Sequence, residues 1–244
     1  MYFDNLIWLF RRFARMSNVE RLHRVRESSV KRKLRRHPGL EALPKAFIDV
    51  LDLSVFLSKA DAQYCAKQWA VTNIGAQAFG RTWPTDNDGN LRWQSFLNGI
   101  DSSATWCFEV TYRESLDIVD DVRLAWEINR LTFLLPVAAH ASVSHDGEAV
   151  AYVTNTVRNF LATDRVGYGL RWNSMIELSM QSMSLVVLDS FMHSDPEWQH
   201  VRGDLATALR QRYRWLEMLP SLYSSSNNHR LAELAALSVM AQVL

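Results

Sequence analysis

The sequence holds only two cysteines, nine glycines and six prolines in 244 residues. Cys65 and Cys107 stand far apart and fit no paired-thiol spacing, which excludes a disulfide framework and a thiolate metal site. Both read as buried small apolar residues. With Gly and Pro so scarce and apolar residues at helical intervals nearly throughout, the chain reads as mostly α-helical. No Gly-rich phosphate loop and no nucleophile elbow occur. His140, His145, His193 and His200 match no common zinc spacing. The Asp86, Asn87, Asp88 and Asn90 cluster lacks the Glu that would close a calcium loop. No metal and no cofactor is expected. No stretch approaches the length of a membrane span. The apolar run at 6–10 is too short for a signal sequence, and its positive charges follow rather than precede it. As given, the chain reads as cytoplasmic; a periplasmic or envelope location requires a start further upstream.

What is present is a 48% hydrophobic, 22% charged composition, suited to one large globular domain or two small ones. The net charge is only +1, yet eleven of the twenty-seven Lys and Arg residues fall between Arg11 and Arg36. The remainder is therefore net acidic. Residues 1–40 form a basic N-terminal arm, with a short amphipathic helix over 1–16 and a second basic segment over 18–37. Clustered cations attract phosphates, but no nucleic-acid motif accompanies them, so nucleic acid is not expected. Docking of 1–16 on the protein itself and a solvated helical arm over 18–37 are favoured, and the arm would also attract an anionic polysaccharide. Association with a membrane surface is the alternative.

Residues 41–244 form the second unit. The span 43–73 holds two helical segments broken near 58–61. The least helical region is 75–106, where Asp-Gly and Asn-rich turns accompany Trp83, Trp93 and Trp106. Trp83 and Trp93 fit either loop packing or stacking on sugar rings. A long helix is expected over 117–140, kinked by Pro136 near its end. Further helices follow over 147–163, 173–193, 201–222 and 231–243. The first, third and last of these five are apolar nearly all round, whereas the second and fourth carry one clean apolar face. Buried and half-buried helices thus alternate. That pattern predicts helical hairpins in inner and outer layers, as in a curved helical solenoid or an α/α toroid, and the lack of a fixed-length repeat favours the toroid.

The stretch 224–234 organises the rest. Small polar residues lead into an apolar helix there, and Asn228 and His229 stand at its start. Ser and Asn suit an N-cap, and a helix start favours an anion in front of it. The expected inner helices also carry charge. Glu127 and Arg130 share a helix face, Glu177 opens the second inner helix, and Glu233 follows His229 by one turn. Buried charges are costly unless paired, so these residues form either ion pairs between helices or a polar cleft.

Three segments in order, Asp121-Val-Arg-Leu-Ala-Trp-Glu-Ile-Asn-Arg-Leu131, Gly169-Leu-Arg-Trp-Asn-Ser-Met-Ile-Glu177 and Ser226-Asn-Asn-His-Arg-Leu-Ala-Glu233, resemble the helical domain of the heparinase II/III and alginate lyase family. The resemblance covers about 116–244, with a looser likeness over 79–99. It implies an incomplete toroid followed by an antiparallel β-sandwich domain. It also implies β-elimination on a uronic-acid polysaccharide as the partner substrate. Asn228 and His229 fall on the family's carboxylate-neutralising pair, as catalytic residues. Asn129, Arg130, Trp172 and Glu177 fall on positions that bind substrate or support the cleft. The family's proton-transferring Tyr lies well downstream of the Asn-His pair, and Tyr213 and Tyr223 precede it. The resemblance therefore implies the front, substrate-binding part of a lyase without its acid/base. A non-catalytic glycan-binding or scaffold module is the alternative.

Overall fold

The computed structural model describes residues 13–39, 49, 51–53, 57–72, 76–78, 81–93, 102–110, 122–223 and 226–244. The expected helix over 1–16 falls mostly outside them, as do most of the first segment of 43–73 and the start of the 117–140 helix. Among the described residues the protein is all-helical, with eight α-helices and one two-residue β-ladder. None of these helices is long and apolar enough to cross a membrane.

Local chemistry sets the helix ends. Helix α1 (Asn18–Arg36) starts where the Ser17 hydroxyl accepts the Glu20 N–H, and its last turn carries Lys33, Arg35 and Arg36. Both ends complement the helix dipole. Helix α2 (Lys59–Thr72) opens with a reciprocal cap: the Ser58 Oγ accepts the Asp61 N–H at 3.2 Å, and the Asp61 carboxylate accepts the Ser58 N–H at 2.9 Å. A short antiparallel ladder joins Gln77–Ala78 to Arg81–Thr82. The Asp86–Asn90 cluster is a turn, in which Asp86 Oδ1 accepts N–H groups from Asp88 and Asn90. Trp83 and Trp93, both 3% exposed, pack into the body instead of offering a face to solvent.

The long helix expected over 117–140 is broken, and not at Pro136. Helix α3 (Val122–Asn129) stops, Leu131 turns left-handed (φ 63°), a 3-10 turn covers Thr132–Leu134, and α4 (Leu135–Ser144) follows. The break carries Leu131 and Leu134 into full burial. Pro136 falls in the first turn of α4, where its missing N–H leaves no bond unmade.

Four helices complete the body: α5 (Gly147–Ala162), α6 (Met175–Met192), α7 (Pro196–Met218) and α8 (Asn227–Val243). Asp146 and Asp195 cap α5 and α7. Helix α6 is the centre, packing on α4, α7 and α8, while α5 packs on α4 and α7. Three of its buried serines return their hydroxyls to backbone carbonyls about one turn earlier, Ser179 to Met175, Ser182 to Leu178 and Ser190 to Val187. Helices α5 and α7 bury one face each, as their sequences predict. Helix α8 departs from its expected all-round burial, because Leu231 is 71% and Leu234 49% exposed. An aromatic cluster of Trp106, Trp172 and Trp215 closes the base, with the Trp172 and Trp215 centroids 4.9 Å apart. Gly167 (φ 79°) runs against it, where a Cβ would stand 2.6 Å from the Trp106 ring, so only glycine fits.

The described part of the basic arm, residues 13–39, is docked. Leu34 is buried, the Trp215 indole donates to the Pro38 carbonyl at 3.0 Å, and Arg35 pairs with Glu109. Its orientation is unusual. Val19, Leu22 and Val25 are exposed, while Glu20, Arg24, Glu27 and Lys31 lie half-buried on another side.

Candidate functional site

The half-buried charges of α1 border a small cleft. Arg24, Glu27 and Lys31 form one wall, with Phe108 beside them. Asn173, Ser174 and Met175 at the start of α6, residues 219–222 and His229 complete it around roughly 170 Å³. Larger cavities lie elsewhere among the described residues. One, near 530 Å³, lies between the 85–91 turn and α5, and one, near 630 Å³, between α2 and α4; both are lined mainly by apolar or neutral groups. Another, near 310 Å³ between α5 and α7, is lined by Arg158, Asp164, His200 and Asp204 among others, but its Asp164 is taken up by Trp172 and Arg212. The smaller cleft is the one that sets cations and an imidazole against two helix starts.

Each wall is held by identifiable bonds. Glu27 pairs with Lys31 at 2.6 Å and Arg24 at 2.9 Å. Burial pulls the Glu27 carboxyl upward, but Lys31 and then Arg24 outweigh it and hold the group below its usual 4.5. Lys31 Nζ also sits 4.3 Å from the centre of the Phe108 ring. The 219–222 segment is fixed by Glu233, fully buried, which accepts the Ser221 N–H through both oxygens (3.2 and 2.9 Å) and pairs with Arg230 at 3.2 Å. Tyr223 next to it is left-handed (φ 57°), and its ring lies 5.4 Å from that of His23 on α1.

Two helix starts border the cleft. Ser174 caps α6 and Ser226 caps α8, and neither side chain bonds a first-turn N–H. The Ser226 hydroxyl instead donates to the Tyr223 carbonyl. Helix α8 begins four residues earlier than its apolar run, so Asn227, Asn228 and His229 belong to its first turn. His229 is half-buried and lines the cleft, whereas Asn228 is exposed beside it and does not.

The remaining residues expected at a site are tied into the body. Arg130 spans Glu177, at 2.8 Å through both Nε and one terminal nitrogen, and Glu127 at 2.9 Å. The bonds from Glu177 raise the Arg130 pKa against the pull of burial. Asn129, 2% exposed, donates to the Ala125 and Trp93 carbonyls and accepts from Arg171 Nε at 2.8 Å. Trp172 is fully buried, and its indole donates to Asp164 at 2.8 Å. As placed, Asn129 and Trp172 are enclosed by protein. Arg130 and Glu177 join the first motif segment to the second, and Asn173 and His229 bring the second and third together at the cleft.

The sequence reading missed Arg24, Glu27, Lys31 and Asn173. The 24, 27, 31 spacing of alternating charge was legible as one helix face, but nothing local distinguishes a solvated face from a cleft wall. Cys65 and Cys107 are buried as expected. Burial raises both thiols, that of Cys107 to about 12, so neither supplies a thiolate near neutral pH. No protein-family model, no characterised protein and no solved structure matches this chain.

Proposed function

We propose that the cleft holds the carboxylate of an acidic sugar, and that the chain is the helical, substrate-binding part of a polysaccharide lyase acting on uronic-acid-containing polysaccharide. The observation that carries this reading is the convergence of His229 and Asn173, at the starts of α8 and α6, with the α1 cations Arg24 and Lys31, which share Glu27, the single carboxylate among the described residues lining the cleft. Helix starts, amide donors and cations all favour a carboxylate, and together they disperse its charge. The toroid arrangement and the β-sandwich domain implied by the resemblance belong to the same proposal.

The chemistry follows from that neutralisation. Once the carboxylate charge is offset, the C5 proton of the uronate becomes more acidic. A base takes that proton, and its bond pair becomes the C4–C5 double bond. The C4–O bond breaks, and the leaving oxygen is protonated. His229, at the helix start, neutralises the carboxylate, with exposed Asn228 beside it at the mouth. Arg130 and Glu177 fix the start of α6 behind them. Among the described residues that line the cleft there is no tyrosine, so the proton-transferring group belongs elsewhere in the assembled site.

The test is release of unsaturated uronate, followed by its ultraviolet absorbance, from galacturonate, mannuronate and glucuronate-containing oligosaccharides. His229→Ala and Asn228→Ala are expected to abolish product in the full-length protein while leaving the melting temperature close to that of the wild type. Normal product formation by both variants would sink the assignment. Binding of the same oligosaccharides without any absorbance rise would favour the non-catalytic glycan-binding module instead.

A further inference from the structure

Asn173 is unlike every other polar residue around the cleft. Its amide oxygen and amide nitrogen are both buried, and neither has a hydrogen-bond partner among the described residues. An asparagine amide offers two donors and an acceptor, and burying it unpaired is costly. It does no structural work that explains this cost. It stands before the N-cap Ser174 and caps nothing in α6, whose first backbone bond runs from Leu178 N–H to the Ser174 carbonyl.

The residues before it are, by contrast, firmly anchored. Leu170–Trp172 form a 3-10 turn with all three side chains buried. Trp172 is bonded to Asp164, and Arg171 donates to Asn129, the Phe160 carbonyl and Thr163. The backbone at Asn173 is therefore held on a rigid support, which is how a ligand-contacting side chain is pre-organised. Trp172 and Asn129 act here as positioning residues.

We infer that Asn173 is a specificity residue of the cleft, reading a hydroxyl group adjacent to the ligand's carboxylate. The inference rests on the reading of the cleft as a uronate site and names what the ligand must carry there. Arg24 and Lys31 on the opposite wall, together with His229, take the negative charge. The Asn173 amide nitrogen donates to an oxygen acceptor, and its oxygen accepts a hydroxyl proton. A hydroxy-carboxylate, such as a uronate with a free neighbouring hydroxyl, satisfies both atoms. A fully esterified or sulfated sugar offers acceptors but no donor, and leaves the Asn173 oxygen unpaired.

The experiment is calorimetric titration of the full chain with tetrasaccharides of galacturonate, mannuronate and glucuronate–N-acetylhexosamine, each in free and O-acetylated form. Wild type is expected to bind at least one free tetrasaccharide, and to bind its O-acetylated form about ten- to a hundred-fold more weakly. Asn173→Leu, similar in volume but without polar atoms, is expected to weaken binding of the free form by a similar factor and to bind both forms alike. Its melting temperature is expected to equal or exceed that of the wild type, because a buried unpaired amide is gone; an asparagine with only a structural role would lower it. Undiminished binding by Asn173→Leu, or equal loss on free and acetylated forms, would overturn this inference alone. Failure of wild type to bind any of the free probes would overturn the uronate reading itself and this inference with it.

Discussion

Two charged clusters in this molecule use the same residue types to opposite ends. In the interior, Arg171 and Arg212, 1% and 0% exposed, share the Asp164 carboxylate. Arg212 meets it at 2.5 Å and Arg171 at 3.8 Å. Burial pulls Arg171 down to about 10, partly offset by Asp164 and deepened by the neighbouring Arg212. The guanidiniums stack on aromatic faces, Arg171 4.2 Å from the Phe160 centroid and Arg212 5.1 Å from that of Trp172. Backbone and side-chain acceptors take most of the donors that remain. At the cleft, Arg24, Glu27 and Lys31 are partly exposed, and beside them stand an unpaired amide and two helix starts without side-chain caps. The interior cluster spends nearly all of its hydrogen-bonding capacity on the fold, with Arg212 Nε buried without a partner among the described residues. The cleft keeps some in reserve.

That contrast breaks most visibly at Asp164. Asp164→Asn leaves two buried guanidiniums without a carboxylate and is expected to cost about 3–5 kcal/mol, read as the shift in a urea unfolding curve. A loss under about 1 kcal/mol would mean that the interior cluster is not structural. Glu177→Gln comes next. Arg130 keeps Glu127, so a loss of about 1–3 kcal/mol is expected, with acidic-saccharide binding weakened only as far as the start of α6 shifts.

Glu27→Gln should have the smallest effect on stability, within about 1 kcal/mol at neutral pH, and a clear one on ligand. Removing the cleft's own carboxylate leaves Lys31 and Arg24 more available, so acidic tetrasaccharide is expected to bind a few-fold more tightly. The pH dependence sharpens this. A carboxyl held below 4.5 when folded stabilises the protein above pH 4.5, and that contribution disappears as pH falls through its lowered value. The variant should lose less stability than wild type across that acid range. An identical acid limb in both proteins would show that Glu27 gains nothing from its two partners.

The helical body was legible because its signals are local. Helix α5 starts where its sequence predicts, on the Asp146 cap, whereas α7 starts at Pro196, five residues before the expected 201, because Asp195 caps it and Pro196 opens its first turn. One-sided apolar faces on α5 and α7 state which side is buried. The break at Leu131 was not legible, since no Gly or Pro marks it and the left-handed turn is sustained by burial of Leu131 and Leu134. The exposure of Leu231 and Leu234 was hidden for the same reason. Periodicity says that a face is apolar, not whether another helix covers it.

The sequence by itself determined the all-helical class, the burial of both cysteines and the meeting of charge with helix starts, all set by residue type and spacing along one element. Tertiary structure alone decided which charges became fold and which became cleft. Glu177 and Arg130 are forty-seven positions apart and Glu27 and Asn173 lie on elements far apart in the chain. Whether such groups satisfy one another depends on how helices pack. That packing consumes Asn129 and Trp172, leaves Asn173 unpaired, and turns a basic arm into a wall.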